Sequence, residues 1–168
     1  MPDSAEDESV ASSVTFQLVR LGQLANHRFV DQLAPLGLRP RHCAVLELLR
    51  AGSMAQLELA NCLGVAPSVV VDMIDELQDL HAVDRVRGTA DRRRQFVELT
   101  AHGRSLIRRA ANVARALDAD LLRHLDSEQC AGLRAGLCQV VEGHGARPAP
   151  QARPVPEARP VPQARLGG

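Results

Sequence analysis

The sequence predicts a mainly α-helical domain carrying one small β-hairpin, and three observations carry that prediction. Aromatic residues make up only 2% of the 168-residue chain while apolar residues make up 45%. The core must therefore be Leu, Val and Ala, which suits packed helices better than a sheet sandwich. Apolar residues recur at steps of three and four along most of residues 13–141, the period of amphipathic helices. One stretch differs: Val83–Arg87 and Gln95–Leu99 are short strand-like runs that flank the turn GTADRRR.

Residues 1–12 are acidic and polar and are expected to be disordered. They lack an apolar segment, so no signal peptide is expected, and no run of 18 apolar residues suggests a membrane span. A cytoplasmic protein follows from both. From Ser13 to Ala34, Val14, Leu18, Leu21, Ala25, Phe29 and Leu33 form the stripe of a long helix, ended by Pro35 and Gly37. Pro40 opens a helix through RHCAVLELLR that is apolar nearly all round and reads as a buried scaffold.

The next two helices lie close together. Met54–Leu63 follows Ser53, a candidate N-cap with Gln56 three residues on, the spacing of a capping box. Gly64 suits a left-handed C-cap. Pro67 begins the second helix, SVVVDMIDELQDL, with Val70, Ile74 and Leu77 on one face. The hairpin follows after His81. Helix, turn, helix and basic hairpin is the layout of a winged helix-turn-helix, a DNA-reading device.

Thr100 caps a long helix from Ala101 to Leu125 with a stripe of Leu106, Ala110, Val113, Leu117, Leu121 and Leu125. Asp126 and Gln129 restart a helix to about Val141, striped by Leu133, Leu137 and Val140. From residue 143 a Pro- and Arg-rich repeat, PQARPV, PEARPV, PQARLG, reads as a disordered tail. The domain therefore spans 13–142, with a DNA-binding lobe at about 40–100. The flanking helices, about 13–36 and 101–141, carry longer apolar stripes than that lobe can cover. They predict a helical dimerisation layer built with a second copy of the chain.

Net charge is zero, and all 20 basic residues are arginine. Its distribution says more. Residues 54–80 hold five acids (Glu58, Asp72, Asp75, Glu76 and Asp79) and no base, whereas residues 85–94 hold five arginines against Asp91. The DNA-attracting charge sits in the hairpin. Cys43, Cys62, Cys130 and Cys138 form no CxxC pair and are expected to be reduced and buried. No phosphate loop, nucleophile elbow or HExxH is present, so no enzyme, cofactor or metal site is expected.

Three stretches together resemble the MarR family of winged-helix transcriptional regulators: LGLRPRHCAVLELL, LELANCLGV with PSVVVDMIDEL, and DRVRGTADRRRQFVELTAHGR. The most specific part is Asp91, Arg93, Val97, Leu99, Thr100 and Gly103, in the pattern D-x-R followed by apolar-x-L-T-x-x-G. The resemblance implies a homodimer that binds palindromic operator DNA, as a repressor, and is released by a small phenolic or anionic molecule. It implies that Arg93 reaches the minor groove, that Asp91 holds the wing by pairing with an arginine, and that Arg92 and Arg94 touch phosphate or brace the wing. Pro67, Ser68, Val69, Val71 and Asp72 would face base edges and backbone. Ser53, Gln56, Arg85 and Arg87 complete the DNA-facing set, with Arg39 and Arg41 adding phosphate contacts. A pocket between the first helix, the scaffold helix and the reading lobe would draw on Phe16, Arg20, His27, Arg28, Arg39 and His42. With no Trp in the chain, urate is not the expected ligand.

The recognition helix departs from the family pattern. Ala66 forgoes a side-chain cap, a loss of about 1 kcal/mol. Val69 and Val71 cannot hydrogen-bond a base, and Asp72 repels phosphate while able to accept from cytosine. His81 stands where a glycine is usual, so the turn into the wing is expected to be strained. Two alternatives stay open: a thiol or oxidant sensor using Cys43, and an interaction or ligand-binding protein of the same fold with weak or lost operator binding.

Overall fold

The computed structural model describes residues 9–87 and 95–143. The first long helix, α1, runs Val14–Leu33, and the Ser13 hydroxyl accepts the Phe16 N–H at 3.2 Å. Just before it, Val10–Ser12 makes one 3-10 turn where the sequence suggests disorder. A 3-10 turn, Ala34–Leu36, and the left-handed Gly37 at φ 68° end α1. The scaffold helix α2 follows at Pro40–Leu48 and tightens into a 3-10 turn, Leu49–Ala51.

The reading lobe then differs from expectation at one point. Met54–Ala55 form a short strand, β1, and helix α3 begins only at Gln56 and ends at Leu63. Met54 pairs with Val97 and Ala55 with Phe96. The sheet therefore takes the residues that would have been the first helical turn. Ser53 is not the N-cap; Ala55 is, without a side-chain hydrogen bond. Helix α4 spans Pro67–Asp79, β2 spans Val83–Arg87 and β3 spans Gln95–Leu99. The sheet is antiparallel in the order β1-β3-β2, with Val83 opposite Leu99 and Arg85 opposite Val97.

Helix α5, Ala101–Leu121, starts at the Thr100 cap and stops four residues short of the expected Leu125. The chain turns through 122–124, and the reciprocal Asp126–Gln129 capping box (2.8 and 3.0 Å) launches α6, Ser127–Gly143.

One core fills the reading lobe. Leu33, Leu38, Val45, Leu46, Leu59, Val70, Ile74, Leu77, Val83 and Val97 are buried, and Leu106, Ile107 and Ala110 of α5 close it. Outside the lobe burial thins out sharply. Of α1 only Leu33 is buried, and α6 buries no residue. Among the described residues no single helix is long and apolar enough to cross a membrane.

Candidate nucleic-acid interface

The site is built on the bend between α3 and α4, which meet at 111°. Gly64 makes it possible, since at φ 66° it adopts a backbone that glycine enters without a Cβ penalty. Pro67 occupies the first turn of α4, behind an Ala66 cap that offers no side-chain bond. Val70, Met73, Ile74 and Leu77 seat α4 on the core. The opposite face of its first two turns, Pro67, Ser68, Val69, Val71 and Asp72, is exposed. Leu57 of α3 and Val65 in the bend extend the apolar part of that surface.

Two ionic clamps hold α4 from either side, and neither is evident in sequence spacing. On one side Glu76 accepts from Arg41 and from the His42 Nε2–H (2.7 Å to Oε2), with Arg39 3.5 Å away. His42 is buried, and its Nδ1 accepts the Arg39 backbone N–H at 3.2 Å, which fixes the tautomer. Burial holds the His42 pKa below the ordinary histidine value, with Glu76 opposing that fall. The Arg41 hydrogen bond, helped by His42, holds the Glu76 carboxyl below the usual carboxylate range. On the other side Arg85 of β2 donates to Asp75 and Gln78.

These clamps correct several expectations. Arg39, Arg41 and Arg85 spend their guanidinium groups on α4 rather than pointing solely at phosphate. His42, expected at a ligand pocket, is a buried pin between α2 and α4. Arg87, by contrast, is exposed at the end of β2. The expected wing contacts Asp91, Arg92, Arg93 and Arg94 lie outside the described residues.

The junction from α4 into the hairpin is strained as expected, with His81 at φ 52°. Its carbonyl accepts the Thr100 hydroxyl at 2.7 Å, and that hydroxyl in turn accepts the Gly103 N–H at 2.9 Å. Gly103 lies so close that a Cβ there would sit 1.9 Å from the Ala82 carbonyl oxygen. The T-x-x-G spacing is thus a physical lock between the hairpin and α5.

The six residues expected to form a ligand pocket are not gathered in one place. Arg39 and His42 converge on Glu76, Arg28 on Asp120 of α5, and His27 on Asp31, while Phe16 and Arg20 are exposed on α1. A cleft of about 380 Å³ opens instead between α5 and α6, lined by Arg115, Asp118, Leu122, Cys130 and Arg134 among others. The cysteines are free, but none is fully buried as expected: Cys43, Cys62 and Cys130 are half-buried and Cys138 is exposed. Burial pushes the Cys43 thiol up to about 11, the wrong direction for a reactive thiolate. No group of three His, Cys, Asp or Glu among the described residues is placed to hold a metal.

No protein-family model matches the chain. The chain is 32% identical over 115 residues to the HTH-type transcriptional repressor Rv2887 of Mycobacterium tuberculosis, covering 68% of this chain and 83% of that protein. The fold superposes on a MarR family transcriptional regulator from Rhodococcus sp. RHA1 with a TM-score of 0.70 at 25% identity, covering 79% of this chain and 96% of that one. It also superposes on the transcriptional repressor CouR bound to a 23-mer DNA duplex, with a TM-score of 0.71 at 26% identity, covering 83% and 99%. CouR from Rhodococcus jostii RHA1 bound to p-coumaroyl-CoA gives a TM-score of 0.67 at 27% identity, covering 79% and 94%.

Proposed function

Because the chain belongs to the MarR family of winged helix-turn-helix transcriptional regulators, which are not enzymes, we propose that it is a cytoplasmic repressor that binds a palindromic operator as a homodimer and leaves it when a small ligand binds. One observation carries the reading. The first two turns of α4 stand clear of the protomer while its opposite face and both flanks are fixed, by the core and by the Glu76 and Arg85 clamps. A helix presented in this way enters a major groove without reorganising first. The similarity to a repressor captured on duplex DNA supports the same docking.

The dimer rests on exposed apolar surface. Leu18, Val19, Leu21 and Leu24 of α1 and Leu137 and Val141 of α6 are each 40% exposed or more. Two such helices packed against their symmetry mates bury this surface and set two α4 helices about 34–36 Å apart, one DNA turn. The ligand half of the reading is supported by the CouR complex with p-coumaroyl-CoA. In this chain Phe16 and Arg20 are the residues proposed to meet an aromatic or anionic effector, since Arg39 and His42 are committed to Glu76 and Arg28 to Asp120.

Fluorescence anisotropy with the chain's own upstream region tests the whole reading. The full chain should bind at low salt as a dimer, and Arg93→Ala should abolish binding while sedimentation still shows a dimer. Unchanged binding by Arg93→Ala would sink the wing reading. Release of the DNA by p-coumarate or p-coumaroyl-CoA supports the ligand half, and release by neither removes that effector class. The acidic outer face of α4 favours the second reading, an interaction protein of the same fold. No binding to the upstream region at low salt would select it.

A further inference from the structure

The exposed side chains on the first two turns of α4 make an unusual reading surface. Pro67, Ser68, Val69, Val71 and Asp72 are all exposed, and Val69 and Val71 retain 40% and 37% of their accessible surface. No Lys or Arg occurs anywhere in residues 54–80. The Ser68 hydroxyl is the single side-chain donor on these turns, and the rest is hydrocarbon or carboxylate. At about 100° per residue, Val69 and Val71 stand on either side of Asp72. Asp75, the next carboxylate on the same face, is held by Arg85, and Asp79 lies at the far end of the helix.

The major groove offers three kinds of group to such a surface. Guanine presents two acceptors, N7 and O6, which a carboxylate repels. Adenine presents an amino donor beside the N7 acceptor, so a carboxylate gains one contact and meets one repulsion. Cytosine presents its N4 amino group with no acceptor of its own beside it. Thymine presents a C5 methyl, which meets hydrocarbon well. We infer that α4 selects its half-site by a cytosine amino group facing Asp72 and by thymine methyl groups facing Val69 and Val71, with guanine disfavoured on the contacted strand. This deepens the operator-binding reading and rests on it. Affinity comes from the hairpin arginines and from backbone N–H groups, while the valines and Asp72 supply the choice of sequence.

The test starts from a random duplex library bound by the full chain at low salt. The recovered half-site should hold a cytosine flanked by thymines. Replacing those thymines by deoxyuridine removes only the methyl groups. It should weaken binding by the wild-type chain about fourfold for each contacted methyl, and Val69→Ala with Val71→Ala should erase that penalty. Asp72→Asn, whose amide pairs with adenine, should move the preferred base from cytosine to adenine. Indifference to deoxyuridine, or an Asp72→Asn chain that keeps its cytosine preference, overturns the inference while leaving operator binding standing. Failure to recover any duplex overturns the operator reading and this inference together. The deoxyuridine arm uses the unaltered protein, so it does not depend on any variant folding.

Discussion

His42 is the one buried polar residue in the described core, and it couples the scaffold helix to the recognition helix. Its folded pKa lies below the ordinary 6.5, so the unfolded chain takes up the proton first as pH falls. The stability contributed by neutral His42 is complete above 6.5 and is lost as pH drops below that value. Glu76 acts in the same direction at lower pH, because its depressed carboxyl pKa makes its contribution full above 4.5 and lost below. Thermal unfolding should therefore show Tm falling between about pH 7 and about pH 5. A His42→Gln chain, which keeps a donor and an acceptor without titrating, should show a flatter profile, and an unchanged slope would assign the effect elsewhere. The thiols make a second residue-scale prediction. Cys138 is exposed while Cys43 is half-buried with its thiol raised to about 11. Iodoacetamide at neutral pH should label Cys138 before Cys43, read by mass spectrometry of timed digests. Faster labelling of Cys43 would reopen a redox role.

At the scale of elements, the lock between the hairpin and α5 matters most. Thr100 caps α5 and ties down the strained His81 carbonyl, and Gly103 lets the helix meet the Ala82 backbone. Gly103→Ala places a methyl against a carbonyl that belongs to the same lock and cannot swing aside like a side chain. A loss of about 3 kcal/mol is expected, which lowers Tm by about 10 °C. A loss below about 0.5 kcal/mol, the range of ordinary surface changes, would mean that α5 shifts freely. The short strand β1 belongs to the same scale. Ser53 and Gln56 have the spacing of a capping box, yet pairing of Met54 and Ala55 with β3 overrides that local preference. Sheet hydrogen bonds satisfy two backbone groups per residue pair, whereas a cap satisfies one or two groups in all.

Over the whole molecule, charge placement sets how the protein meets DNA. Seven arginines per protomer are expected to supply the charge that meets DNA on sequence alone: Arg39, Arg41, Arg85, Arg87, Arg92, Arg93 and Arg94. Three of these are ion-paired to α4, leaving Arg87 and the three of the turn. A dimer then neutralises about eight phosphates, and log affinity should fall with log salt at a slope of about −7. Were all seven engaged, the slope would be about −13. Anisotropy titrations at several salt concentrations separate the two, and the steeper value would show that the clamps open on DNA.

The sequence by itself determined most of the elements and the family. The two strands of the hairpin, the Pro67 start of α4, the Thr100 cap and the Asp126–Gln129 restart all fall where periodicity and capping residues put them, because each is written in contacts within a few residues. The core face of α4 was legible for the same reason. Only the tertiary structure decided β1, the Glu76 clamp and the diversion of Arg39, Arg41, His42 and Arg85 from ligand or phosphate to the recognition helix. Those contacts join residues up to 37 positions apart, and β1 pairs residues more distant still. Helical period and capping rules carry no information about such separations, and an arginine looks the same in sequence whether it meets a phosphate or a neighbouring carboxylate.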